Sequence, residues 1–139
     1  MKQRLHLYAS FFKEKTRMVE VNNLTKDKVD GVFLKKVAKI VLKGENRLKM
    51  DLSIALVGQE RIKELNRQYR GKNKATDVLS FAYDRNSGEV IICPVKAKKG
   101  LEWILIHGIL HILGFDHEGT EKEARRMEKK EDYYLLKIS

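Results

Sequence analysis

Three of the chain's four histidines fall in one short run, His107-Gly-Ile-Leu-His111-Ile-Leu-Gly114-Phe-Asp116-His117. The spacing of His107 and His111 puts both imidazoles on one face of a helix, a turn apart. Gly114 suits the left-handed turn that ends a helix. Beyond that turn, His117 can approach the first two from the side. Three neutral imidazoles with a fourth position open form the ligand set of a catalytic zinc site rather than a closed structural one.

The same spacing matches the His-x-x-x-His-x-x-Gly-x-x-His pattern of zinc proteases, with one difference. The protease carries Glu directly after the first His to activate water; here that position is Gly108, which cannot act as a base. The metal cage is kept and the general base is gone, which argues against peptide hydrolysis by that route. A pair of histidines on an apolar helix often serves only the core. Three at ligand spacing with a turn glycine point to metal.

A second group stands upstream. Arg70 closes a helical stretch just before Gly71 and lies close to Lys72 and Lys74. A guanidinium there can hold a phosphate at two points, which an ammonium cannot. It could bind the scissile phosphate or stabilise charge developing on it. The competing role is a surface arginine capping a helix C-terminus. Lys72 and Lys74 are candidate substrate contacts.

The chain's 139 residues suit one domain spanning 1–139, with room for a substantial core. Its 29 Lys and Arg against 19 Asp and Glu leave a charge of +10, which favours an anionic partner, nucleic acid first. Cys93 is the single cysteine, so no intrachain disulfide forms, as fits a reducing cytosol. It reads as a strand residue rather than a nucleophile. The most apolar run, Leu101 to Leu113, is too short to span a bilayer and reads as a buried helix. No membrane association is expected, and the N-terminus makes a poor signal peptide.

The elements that must position these groups can be read from periodicity. Leu5 to Ala9 is either a strand or part of an N-terminal extension over residues 1–17. Met18 to Asn22 alternates like a short strand. From Lys26 to Lys43 the spacing is helical, with Val29, Phe33, Val37, Ile40 and Val41 on one stripe, Thr25 as a candidate cap and Gly44 at the end. Asp51 to Val57 alternates as a strand, and Gln59 to Tyr69 is helical, with Ile62, Leu65, Asn66 and Tyr69 on one face. A basic loop over 70–75 leads to a strand from Thr76 to Phe81. Asp84 to Gly88 is a turn, and Glu89 to Cys93 a strand ended by Pro94, giving a hairpin. Leu101 to Leu113 is the central helix. Thr120 and Glu123 form a capping box that opens the last helix, whose buried stripe is Ala124, Met127, Tyr134, Leu135 and Ile138. The fold class is α+β, with a mixed sheet of about four strands and the His-bearing helix packed on it.

Asn66-x-x-Tyr69-Arg70-Gly-Lys, then Thr76-Asp77-Val78-Leu79-Ser80-Phe81, then the histidine run, together resemble the YbeY family of bacterial rRNA-maturation endoribonucleases. The resemblance runs from Met18 to the C-terminus. It implies that His107, His111 and His117 hold one Zn2+ and that the family's functional arginine is Arg70. It also implies cleavage of single-stranded rRNA in the cytoplasm, in small-subunit rRNA processing and ribosome quality control, with the small subunit and ribosome-associated factors as partners. Ala75 stands where the family usually has proline, Gly88-Glu89 where it commonly has Gly-Asp, and the stretch from Pro94 to Glu102 is shorter than usual. Asp116 either orients a histidine from behind or serves the turn. Two other functions fit the residues: a metal-dependent hydrolase of a small phosphate or amide, and a non-catalytic ribosome-associated factor with structural zinc.

Overall fold

The computed structural model describes residues 19–139. The sequence-predicted strand at Leu5–Ala9 and the extension over 1–17 lie outside the described residues. The order is β1 (Val19–Asn23), α1 (Gly31–Gly44), β2 (Asp51–Leu56), α2 (Gln59–Arg70), β3 (Val78–Asp84), β4 (Ser87–Ile92), a 3-10 turn (Pro94–Lys96), α3 (Leu101–Ile112) and α4 (Glu121–Ile138).

The four strands form one mixed sheet in the order β1-β2-β4-β3, with β3 antiparallel to β4 and the other pairs parallel. Alternation along the strands sends side chains to two separate cores. Leu52, Ile54, Leu56, Val90 and Ile92 meet α1, α3 and α4 on one face. Ala55, Leu79, Phe81 and Ile91 meet Ile62 and Leu65 of α2 on the other. The fold is therefore α+β, as the periodicity implied. The sequence assigned Ser53 to the polar side of β2, yet it is buried, on the face that also carries Ala55 and the second core.

Two boundaries differ from expectation. Helix α1 begins at Gly31 and is capped by Asp30, whose Oδ1 accepts from Phe33 N at 3.0 Å, not by Thr25. Thr25 is taken up earlier: its backbone N–H donates to Asn23 Oδ1 at 2.9 Å, and its hydroxyl accepts from Asp27 N at 3.2 Å. These local side-chain bonds hold residues 23–27 in a turn and compete with the helix. Strands β3 and β4 also run further than expected, leaving only Arg85 and Asn86 between them. Asp84 Oδ1 accepts from Asn86 N at 2.8 Å and tightens the hairpin. At the other end of the chain Thr120 caps α4 as predicted, accepting from Glu123 N at 3.1 Å.

Helix α3 lies unusually close to the sheet. A Cβ on Gly108 would stand 2.8 Å from Val90 Cγ1, and one on Gly88 would stand 2.9 Å from the Phe81 carbonyl and 3.2 Å from Ile112. Glycine at these two places lets the helix settle against β4 and β3. The Ser80 hydroxyl donates to the Gly108 carbonyl at 3.1 Å and fixes the contact. Any side chain at 108 would point into the sheet, so a protease-type glutamate has no room there.

Candidate metal centre

Helix α3 ends in a Schellman turn. Gly114 takes φ +101°, its N–H donates to His111 O at 3.0 Å, and Phe115 N donates to Leu110 O at 3.0 Å. Asp116 Oδ1 then accepts from Glu118 N at 2.8 Å. Asp116 therefore serves the turn. The two bends return the chain along the helix and set His117 beside the first two histidines.

The three imidazoles converge. One ring nitrogen from each of His107, His111 and His117 lies within 4.8 Å of the others. Nε2 of His111 and Nδ1 of His117 are 2.8 Å apart. Two nitrogens sharing a tetrahedral ion at about 2.0–2.1 Å stand roughly 3.4 Å apart, so a small opening of the rings admits one. Burial, followed by the neighbouring His107 and His117, holds His111 below its ordinary pKa of 6.5. The neutral, ligand-competent form is thus favoured. Cys93 is buried in the α2-facing core and takes no part in the cluster.

Glu131 of α4 stands behind His107, with its Oε2 2.5 Å from Nδ1 and both side chains largely buried, at 8% and 12% exposed. This contact occupies Nδ1, so Nε2 is the His107 nitrogen left to face a ligand. This carboxylate–histidine arrangement fixes ring and tautomer in metal sites. Glu131 was not among the predicted site residues. Its signal was there: it is an acid on the buried stripe of α4, between Met127 and Tyr134.

Across a cleft stands Arg70, at the end of α2. Its guanidinium donates to the Ser80 carbonyl at 2.7 Å and lies 4.8 Å over the Phe81 ring. Phe81 is itself braced by Tyr69 and Tyr83. Gly71, at φ +71°, ends the helix. Asn66, buried on α2, donates to Lys74 O at 2.9 Å and ties the basic loop back onto the helix. Arg70, Lys72 and Lys74 line the same cleft as the three histidines. The cleft is not uniformly positive, contrary to what the net charge suggests. Arg70, Lys72, Lys74 and Lys99 are matched in number by Asp77, Glu118, Glu128 and Glu131. Three of those bases lie on or beside the α2–β3 wall, and three of the acids come from α4 or the turn before it.

An α+β domain with three converging histidines at the end of a buried helix and an arginine across a cleft defines a candidate metal-dependent enzyme. The model of the Endoribonuclease YbeY family matches residues 14–139, and the chain belongs to that family. Curated relatives named Endoribonuclease YbeY include one from Thermodesulfovibrio yellowstonii, 44% identical over 75% of this chain and 76% of its own. Another, from Sulfurihydrogenibium, is 35% identical over 91% of this chain and 95% of its own. A solution structure of a Thermotoga maritima protein superposes with a TM-score of 0.59 at 29% identity, covering 87% of this chain and 89% of that one.

Proposed function

We propose that this chain is a metal-dependent endoribonuclease that cuts single-stranded RNA, with His107, His111 and His117 as ligands of one Zn2+. Family membership supports the endoribonuclease role. The observation that carries the metal reading is the convergence of three imidazole nitrogens within 4.8 Å, opposite a basic wall. We assign its substrate to ribosomal RNA of the small subunit, and its work to rRNA maturation and ribosome quality control in the cytoplasm, alongside ribosome-associated factors. Among the described residues no helix is long and apolar enough to cross a membrane.

When bound, a zinc ion supplies a Lewis acid for phosphoryl oxygens and lowers the pKa of its water to about 7. The chain's own groups do the rest. Arg70 spends one donor on the Ser80 carbonyl, which aims the fork into the cleft, and a guanidinium has further N–H groups to hold a phosphate at two points. Lys72 and Lys74 meet the flanking backbone as point charges. Glu131 holds the His107 ring by Nδ1 and so orients Nε2 toward the ligand position. Gly108 carries no side chain, so the position after the first histidine supplies no carboxylate to deprotonate a nucleophile.

The test is metal analysis of the purified protein together with cleavage of an end-labelled single-stranded RNA, with and without chelator. The expected result is about one zinc per chain, cleavage abolished by chelator and restored by zinc, and a loss of roughly 100-fold or more in R70A, the scale of removing one donor from a developing oxyanion. Cleavage that survives chelation, or a protein that holds no metal, overturns the reading. Products ending in a 2′,3′-cyclic phosphate identify the neighbouring 2′-hydroxyl as nucleophile; a 3′-hydroxyl with a 5′-phosphate identifies water.

A further inference from the structure

Trp103 is the chain's single tryptophan and lies one helical turn before His107 on α3. Its ring stacks on His107, with centroids 4.8 Å apart and planes 22° apart. The Lys99 ammonium, which enters just ahead of the helix, lies 4.5 Å over the indole. Lys99, Trp103 and His107 thus form a ladder at four-residue steps down one side of the cleft, across from Arg70. Part of the indole packs against the core, which fixes the plane of the ring.

We propose that Trp103 is a stacking platform for one base of the single-stranded RNA, seated beside the histidines with Lys99 as its phosphate partner. This deepens the RNA-cleaving reading above and rests on it. The physical case is an exchange. A cation over an aromatic face at a wet, open site is a weak contact, whereas a base stacked on an aromatic ring is a stronger one. A base can therefore displace the ammonium, and the displaced lysine meets the phosphate that the same nucleotide brings. Among the described residues lining the cleft, no other Phe, Tyr or Trp offers a face. Phe81 already carries Arg70 on its ring. Stacking reads no base edge, so the subsite selects for an unpaired base without selecting its identity. A duplex, whose bases are already stacked, has nothing to offer it.

With one tryptophan in the chain, intrinsic fluorescence reports on this ring directly. The zinc-loaded protein is titrated with a dye-labelled 2′-O-methyl tetranucleotide, checked for intactness on a gel, and with the same backbone lacking its two internal bases. The expected result is a quench of indole emission that saturates together with anisotropy for the base-bearing strand. The abasic strand binds roughly tenfold more weakly and leaves the emission unchanged. W103L is expected to lose that discrimination and W103F to keep much of it. Should W103L fail to fold, the wild-type quench and the abasic comparison still decide. Saturating anisotropy without a quench, or a W103L variant that discriminates as well as wild type, overturns the platform and leaves RNA binding standing. If neither strand binds the wild type, the RNA reading itself falls and takes the platform with it.

Discussion

Glu131 stands where the packing pattern of α4 calls for an apolar residue, and it meets His107 across 24 positions of sequence. Burying a carboxylate costs free energy unless it is paired, and here its partner is a ring nitrogen that a metal ligand does not need. The arrangement converts that cost into orientation. Replacing Glu131 by Ala leaves Nδ1 without an acceptor and frees the ring to rotate, so zinc affinity should fall roughly 10- to 100-fold. Glu131→Gln keeps an acceptor of the same length and should lose far less. Competition against a chromogenic zinc chelator measures both. An alanine variant that holds zinc as tightly as wild type would show that Glu131 only fills space.

At the scale of elements, the contact that matters most is α3 on the sheet, and it depends on Gly108. Alanine is the better helix former by about 1 kcal/mol. A methyl group here, however, meets Val90 at 2.8 Å, and that neighbour is a stiff, fully buried strand residue. Overpacking of this kind costs about 1–3 kcal/mol, so Gly108→Ala should be destabilising on balance. It should also lift α3 away from Ser80, and with it the histidines from Arg70. We expect a lower melting temperature together with weaker zinc binding; a variant more stable than wild type would refute the tight-seat argument. Much of this layout was legible in the chain. The periods of β2, α2 and α4 and the apolar run of α3 gave the elements, and the histidine spacing gave the cluster, because all of these are local signals. What escaped was non-local or ambiguous. Thr25 and Asp30 are both acceptable caps, and only the turn that Asn23 builds decides between them. Glu131 reaches His107 from another helix, and no spacing rule links the two. The mixed charge of the cleft depended on how α4 was laid down.

Taken as a whole molecule, the site is assembled from both sides of the sheet, and the far end of α4 decides whether that assembly holds. Tyr134, 1% exposed, donates its hydroxyl to the Glu45 carboxylate just beyond α1, and Lys130 Nζ reaches the same oxygen at 3.0 Å. The ring also packs against Gly44, where a Cβ would collide with the Tyr134 hydroxyl. This clasp pins the helix that carries Glu131. Burial, then the hydrogen bond to Glu45 and its charge, raise the Tyr134 pKa well above the ordinary 10.0. The sign follows from linkage: the folded state holds the phenol proton more tightly than the unfolded chain does. The clasp's contribution is therefore complete below pH 10.0 and drains away as pH rises from there towards the folded pKa. Tyr134→Phe removes the titrating group and its charged hydrogen bond. At pH 7 to 9 it should cost about 1.5 kcal/mol, roughly 4–6 °C in melting temperature for a chain of this size. Above pH 10.0 the wild type should lose that advantage progressively while the variant does not, so the two melting curves converge. Thermal melts of both proteins from pH 7 to 11 check this, and a gap that stays constant across that range would show that the hydroxyl contributes nothing through its proton.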